Sequence, residues 1–150
     1  MKRTNAILTT DFESDLTEIP FADYPRPQMR RDSYLCLNGA WDFRVERRGK
    51  TRLCGTITVP FPPESRLSGI ECEIGKHDVM IYTRPFVCPE RTEGDRVLLH
   101  VGACDQTARV LVNDTLVGEH VGGYLPFDFD ITEALCEGEN TLRIEARDPM

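Results

Sequence analysis

Long hydrophobic runs are missing from this chain. No stretch approaches the ~18 consecutive apolar residues that a membrane-spanning helix requires. The N-terminal segment also lacks the apolar centre of a secretory signal, because the apolar run from Ala6 to Leu8 is too short. We therefore expect no membrane partner and a cytoplasmic location.

Clustered positive charge is also scarce. The formal net charge is −7, from 25 acidic and 18 basic residues. Nucleic acids and anionic membranes attract surfaces rich in Lys and Arg. We regard Arg26, Arg30 and Arg31 as the only basic cluster and interpret it as part of a solvated strap. The composition therefore predicts that nucleic acid is not a partner.

Metal-ligand and disulfide patterns are absent as well. The six cysteines include no C-x-x-C pair, and His77, His100 and His120 lack the paired spacing of zinc ligands. Disulfides persist in oxidising compartments, and no secretory signal directs the chain to one. We expect free thiols, no metal and no other cofactor.

Apolar and polar residues alternate along several segments, which is typical of half-buried strands. Trp41, Phe43 and Val45 share one face of such a segment, and the same period recurs in residues 97–103, 108–112 and 142–146. Glycine and asparagine between these segments supply the backbone conformations of tight turns. The pattern predicts an all-β fold of antiparallel strands, and the length favours one domain.

Helical signals are weak. Residues 131–135 fit a single helical turn, with Asp130 as N-cap and Glu133 close to a capping-box position. The first thirty residues contain several prolines and no sustained 3.6-residue period. We therefore predict at most one short helical turn.

The segment from Val110 to Asp130 carries the most specific motif. It combines seven residues at a particular spacing: Asn113, Gly118, His120, Gly122, Gly123, Tyr124 and Phe127. The chain thereby resembles glycoside hydrolase family 2, whose members include β-galactosidases, β-glucuronidases and β-mannosidases. Further similar segments follow the family's order: residues 24–28, 37–43, 59–65, 81–86, 102–105 and 139–142. The resemblance covers residues 24–148.

The resemblance implies a fold and a domain division. The family opens with a sugar-binding jelly roll, so we expect a galactose-binding-domain-like, jelly-roll β-sandwich of antiparallel strands. This domain would span residues 24–150. Residues 1–23 would form a strap, poorly ordered unless neighbouring domains hold it.

The resemblance also implies a function. The family's two catalytic glutamates lie in a (β/α)8 barrel, which needs ~250 residues, so we expect no catalytic residue in this chain. We expect a non-catalytic N-terminal domain of a retaining β-galactosidase or β-glucuronidase. Its partners would be the parent's immunoglobulin-like and barrel domains and carbohydrate, and its packing surface would promote self-association. A free-standing carbohydrate-binding module and a structural interaction domain are the alternatives.

Four residues are candidates for a sugar subsite. In the β-galactosidase branch, an aspartate after the domain's last strand and one loop reach the active site. By position these correspond to Asp148 and to residues 70–78, which include His77 and Asp78. In the Gly-rich segment we expect Tyr124 and Phe127 to be exposed, and Tyr124 is the fourth candidate.

Three other motif features have simpler interpretations. We predict that Trp41 packs in the core, because it shares a strand face with apolar residues. Glu119 and His120 do not form a catalytic pair, since adjacent strand residues point to opposite faces; His120 is expected to stabilise a turn. The sequon that begins at Asn113 is interpreted as a turn as well.

Overall fold

The chain folds as an asymmetric two-sheet sandwich in the computed structural model, which describes residues 10–149. Eight strands occur within that range. They are β1 Gly39–Arg47, β2 Lys50–Val59, β3 Asp78–Val87, β4 Leu98–Val101, β5 Thr107–Val112, β6 Thr115–Val121, β7 Phe127–Asp130 and β8 Glu139–Arg147.

One sheet is much larger than the other. The six-stranded sheet has the order β2-β1-β3-β8-β5-β6, and β4 pairs with β7 in the two-stranded sheet. All pairings are antiparallel. The predicted all-β antiparallel sandwich is therefore confirmed.

The core lies on the face predicted from the alternation. Trp41, Phe43 and Val45 are buried, whereas the residues between them on β1 are exposed or half-buried. Leu99 of β4 and Phe127 of β7 belong to the same hydrophobic cluster. The small sheet therefore covers part of the core that the large sheet presents, as a sandwich requires.

The number of helical turns differs from the prediction. The expected turn forms at Thr132–Ala134, where Asp130 Oδ1 accepts from the backbone N–H of Thr132 at 3.0 Å. The prediction of at most one turn was wrong, because 3₁₀ turns also occur at Asp11–Asp15, Pro27–Met29 and Arg66–Ser68. Such short turns depend on local hydrogen bonds and need no 3.6-residue hydrophobic period, so the periodicity could not reveal them.

The N-terminal strap is described from Thr10 onward and contacts the sandwich, whereas residues 1–9 of the predicted strap lie outside the described residues. Pro20 is buried, and its carbonyl accepts a hydrogen bond from Asn38 Nδ2 at 2.9 Å. Glu13 forms an ion pair with Arg66. These contacts attach the strap to the beginning of β1 and to the loop after β2.

Between Thr10 and Pro149, no helix is both long and apolar enough to cross a membrane.

Candidate functional site

Six strand ends lie side by side at one edge of the large sheet. Pairing joins Arg47 at the end of β1 to both Lys50 and Asp78, and Thr107 at the start of β5 to both Arg147 and Val121. The connecting segments at this edge are residues 70–77, 102–106, 122–126 and 148–149. We call these four segments, together with Asp78, the loop rim.

The loop rim contains all four predicted sugar-subsite residues. Met80 of β3 pairs with Ala146 of β8, and Asp78 and Asp148 each lie two residues beyond that pair, at the same edge of the sheet. Tyr124 follows β6, two strands further along the sheet. Sheet topology therefore brings together residues that are far apart in sequence.

The four candidates differ in exposure. His77 is exposed, and Tyr124 is 96% exposed. Asp148 is half-buried. Asp78 is 2% exposed, so its carboxylate has almost no surface available to a ligand.

Asp78 is held by two arginines. Arg47 donates to it from Nε at 2.8 Å and from Nη2 at 3.0 Å, and Arg52 Nη1 donates at 2.7 Å. The backbone N–H of Gly75 donates at 2.9 Å. The Arg47 hydrogen bonds, with the Gly75 bond and the charges of both arginines, outweigh desolvation and lower the Asp78 pKa to about 2. Asp78 therefore fixes the loop of residues 70–77 against the β1–β2 hairpin.

This environment predicts an acid-sensitive contribution to stability. The pKa of Asp78 is about 2 in the folded protein, below its ordinary value of 3.8. The stabilisation is therefore fully present above pH ~4 and is lost as the pH falls toward 2. Asp78→Asn should flatten the acid limb of a stability–pH curve measured by urea unfolding. Asp42→Asn, at an exposed position of β1, is the control and should leave the limb unchanged; parallel limbs for Asp78→Asn and wild type would contradict the prediction.

The sequon asparagine organises a turn, as interpreted from the sequence. Asn113 Nδ2 donates to the carbonyl of Ala134 at 2.9 Å and to Asn140 Oδ1 at 2.7 Å. Its Oδ1 accepts from the backbone N–H of Thr141 at 2.9 Å. Both amide hydrogens are thus engaged inside the domain, so the side chain has a structural role.

His120 packs in the sandwich. Its ring stacks on Phe127 with centroids 4.2 Å apart and an interplanar angle of 17°. The expectation that Phe127 is exposed was wrong, since it is 9% exposed. Phe127 begins β7, and the alternation of that strand directs it to the core and Asp128 to solvent. His120 therefore holds the Gly-rich segment against β7.

Two motif glycines allow close approach of other groups. A Cβ at Gly118 would overlap the ring of Phe129, and a Cβ at Gly123 would overlap the carboxylate of Asp105. These glycines are needed for packing. Tyr124, by contrast, points away from the packed part of the motif, as its exposure shows.

Comparison with known proteins agrees with this architecture. The model of the family described as "Glycosyl hydrolase 2 galactose-binding domain-like" matches residues 56–150. The chain belongs to this family. The predicted family and its sandwich fold are therefore confirmed.

Relatives of this galactose-binding-like domain are glycosidases. A β-glucuronidase from Paenibacillus borealis is 34% identical over 132 residues, which cover 81% of this chain and 22% of the relative. A β-galactosidase from Thermoanaerobacter pseudethanolicus is 42% identical over 66 residues, covering 43% of the chain and 9% of the relative. The solved structure of Bifidobacterium dentium β-glucuronidase superimposes with a TM-score of 0.60 at 32% identity. The superposition covers 74% of this chain and 19% of the β-glucuronidase chain. The domain thus spans about a fifth of the glucuronidases it matches.

One group of charged residues in the domain was missed at the sequence level. Arg26, Arg30 and Arg31 are exposed, but they are not the only basic cluster. Arg47, Arg48, Lys50 and Arg52 surround the turn of the β1–β2 hairpin. The sequence could have revealed this group, because four of the six residues from 47 to 52 are basic. Only the fold, however, places this hairpin beside the loop of residues 70–77.

Proposed function

We propose that this domain forms part of the sugar-binding wall of a retaining β-glycosidase that acts on β-glucuronides or β-galactosides. The observation that carries the proposal is the gathering of Asp148, His77 and Tyr124 along one rim of the sheet. The names of the relatives support the two substrate classes. Two carboxyl groups of a barrel domain would perform acid/base and nucleophilic catalysis.

Each rim residue has a distinct task in this proposal. A carboxylate accepts hydrogen bonds from sugar hydroxyls, so Asp148 orients the sugar. The ring nitrogens of His77 donate hydrogen bonds to sugar hydroxyls or accept them from these groups. Tyr124 presents an aromatic face to the apolar side of a pyranose ring. Asp78 positions the loop that carries His77.

The Asp148 assignment predicts a loss of catalytic efficiency. In the full-length enzyme that carries this domain, Asp148→Asn should lower kcat/KM for 4-nitrophenyl β-glucuronide or β-galactoside by about 10- to 100-fold. This range corresponds to ~1.5–3 kcal/mol for a hydrogen bond to a charged group. Steady-state kinetics measures the effect.

The matched control is Asp42→Asn, which removes a carboxylate from the outer face of β1. It should leave kcat/KM unchanged. Urea unfolding of both variants establishes that any loss is not a loss of folding. Unchanged kinetics for a folded Asp148→Asn enzyme would remove Asp148 from the sugar site.

The rim also suggests how the isolated domain behaves. Val121, Tyr124 and Leu125 are 74%, 96% and 70% exposed. Exposed apolar groups close together in sequence promote association. We expect the 150-residue chain to form dimers reversibly at high concentration, with Tyr124→Ser and Leu125→Ser together weakening the dimer. Sedimentation velocity measures this, and a monomer at every concentration would contradict it.

We also place the enzyme in the cytoplasm. The six cysteines are all free, and a reducing compartment maintains thiols in that state.

A further inference from the structure

We propose that Glu64 and Arg52 are positioning residues of the proposed sugar site. They hold the loop that carries His77 in its binding conformation before a sugar arrives, although neither residue belongs to the loop rim. The inference rests on the proposed function, because it requires His77 to contact the sugar. It adds two residues that act on the site only through the loop of residues 70–77.

The loop of residues 70–77 does not hold its shape by regular secondary structure. It contains no strand and no helical turn. Glu71 has a φ of 50°, in the left-handed region that residues other than glycine rarely adopt. Such a conformation persists only where surrounding contacts stabilise it. The loop therefore depends on contacts from other parts of the domain.

The segment after β2 holds two residues of the loop by their main chain. The backbone N–H of Cys72 donates to the carbonyl of Pro63 at 3.0 Å. The backbone N–H of Ile74 donates to Glu64 Oε1 at 3.3 Å. The Ile74 side chain is half-buried and packs against the hydrophobic core. Glu64 thus fixes the main chain at the point where the loop also contributes a side chain to the core.

Arg52 of β2 holds the residue between these two. Its Nη1 donates to the carbonyl of Glu73 at 3.2 Å and to Asp78 Oδ2 at 2.7 Å. The Asp78 side chain is fully buried, so the ion pair fixes the position of the guanidinium group. Arg52 thereby joins the loop to the beginning of β3. We call the hydrogen bonds that Pro63, Glu64 and Arg52 make to the loop main chain the loop tether.

The tip of the loop is a turn closed by two hydrogen bonds. The backbone N–H of Asp78 donates to the carbonyl of Gly75 at 2.7 Å, and the N–H of Gly75 donates to Asp78 Oδ2 at 2.9 Å. Lys76 and His77 are the central residues of this turn, and both are exposed. A Cβ at Gly75 would lie 2.9 Å from Arg47 Nη2, so the turn packs directly against the β1–β2 hairpin. The turn therefore presents His77 at a fixed place on the loop rim.

Order before binding is the physical advantage of the loop tether. Ordering a flexible loop when a ligand binds costs conformational entropy, and contacts made beforehand reduce that cost. Arg52 and Glu64 hold the main chain four and three positions before His77, so neither side chain needs to touch the sugar. Loss of either contact would displace the His77 ring. This displacement weakens binding in the ground state and the transition state alike, so KM should rise while kcat changes little.

Steady-state kinetics of the full-length enzyme that carries this domain tests the proposal, with 4-nitrophenyl β-glucuronide or β-galactoside as substrate. Glu64→Ala should raise KM about 5- to 20-fold and change kcat by less than about twofold. Glu64→Gln should remain near wild type, because its amide oxygen still accepts from the N–H of Ile74. Arg52→Gln should raise KM in the same way. Arg44→Gln is the control and should leave KM unchanged, since Arg44 pairs with Glu46 on the same strand.

Double variants show whether Glu64 acts through His77. His77→Ala should itself lower kcat/KM, and Glu64→Ala should have almost no further effect in that background. The matched combination with Tyr124→Ala should be additive, because Tyr124 follows β6, three strands away from β3. A purely structural role of Glu64 would instead lower activity by the same factor in both backgrounds.

Amide hydrogen exchange of the 150-residue chain measures the loop tether directly. The N–H of Ile74 should exchange at least about fivefold faster in Glu64→Ala than in wild type, since it loses its acceptor. The N–H of Val110, in the interior strand β5, should exchange at an unchanged rate and thereby show that the domain remains folded. An equal exchange rate of Ile74 in the two proteins would overturn the tether.

The outcomes separate this inference from the proposed function. A KM unaffected by Glu64→Ala, or additive effects of Glu64→Ala and His77→Ala, would overturn the positioning role. Those results would leave the effects of Asp148→Asn and His77→Ala on kcat/KM intact. No effect of His77→Ala would instead remove His77 from the sugar site, and the positioning role with it. If Arg52→Gln fails to fold, Glu64→Ala decides the question, because Glu64 is exposed.

Discussion

Replacing Trp41 with alanine should lower the free energy of unfolding by about 3–5 kcal/mol, the usual cost of removing a large aromatic side chain from a core. Trp41 is 5% exposed and lies in the hydrophobic cluster between the sheets. Its indole N–H also donates to the carbonyl of Leu37 at 2.7 Å, which holds the approach to β1. Both the cavity and the unpaired carbonyl would destabilise the variant.

Urea unfolding followed by far-UV circular dichroism measures this effect, since Trp41 is the only tryptophan and its fluorescence disappears with it. Trp41→Phe is the matched variant. It retains most of the apolar volume and loses the hydrogen bond, so it should cost much less than alanine. A loss below ~1 kcal/mol for Trp41→Ala would show that the ring is not a core residue, because exposed substitutions have effects of that size or smaller.

Gly118→Ala should be the most destabilising small substitution in the Gly-rich motif, with a cost of about 3 kcal/mol or more. The added Cβ would overlap the ring of Phe129 from the small sheet, and overpacking of this kind forces side chains and backbone to shift. Gly55→Ala is the control. Its Cβ would meet only Ile70 Cδ1 at 3.4 Å, which is close to ordinary contact, so it should cost little.

A double variant tests the cause of the Gly118 effect. Phe129→Leu removes the ring edge that the new Cβ would meet. Gly118→Ala combined with Phe129→Leu should therefore be less destabilised than the sum of the two single variants. Strict additivity would show that the cost of Gly118→Ala arises from the backbone and not from the packed ring.

The faces of the strands were predictable because burial in a strand follows a local period of two. Trp41, Phe43 and Val45 needed only their own segment to be assigned to the core, and the structure buries all three. The expectation that Phe127 is exposed was wrong because its burial is not a local property. Its burial depends on the stacked His120 and on the small sheet, neither of which its neighbours in sequence reveal.

The candidate site was predictable only in part. The resemblance to the family and the position of Tyr124 in the Gly-rich segment named four candidates, Asp148, His77, Asp78 and Tyr124, but they could not distinguish the surroundings of these residues. Asp78 is buried because Arg47 and Arg52, 31 and 26 positions away in sequence, reach it from the neighbouring hairpin. The same long-range contact brings the β1–β2 hairpin beside the loop of residues 70–77.

The amino-acid sequence by itself determined the family, the all-β class and the inward faces of the strands, since motif spacing and period-two burial are properties of short segments. The tertiary structure alone decided which strand ends are neighbours. The order β2-β1-β3-β8-β5-β6 joins segments that loops of very different length separate. For that reason only the folded sheet could place Asp148 beside Asp78, and two arginines on one carboxylate.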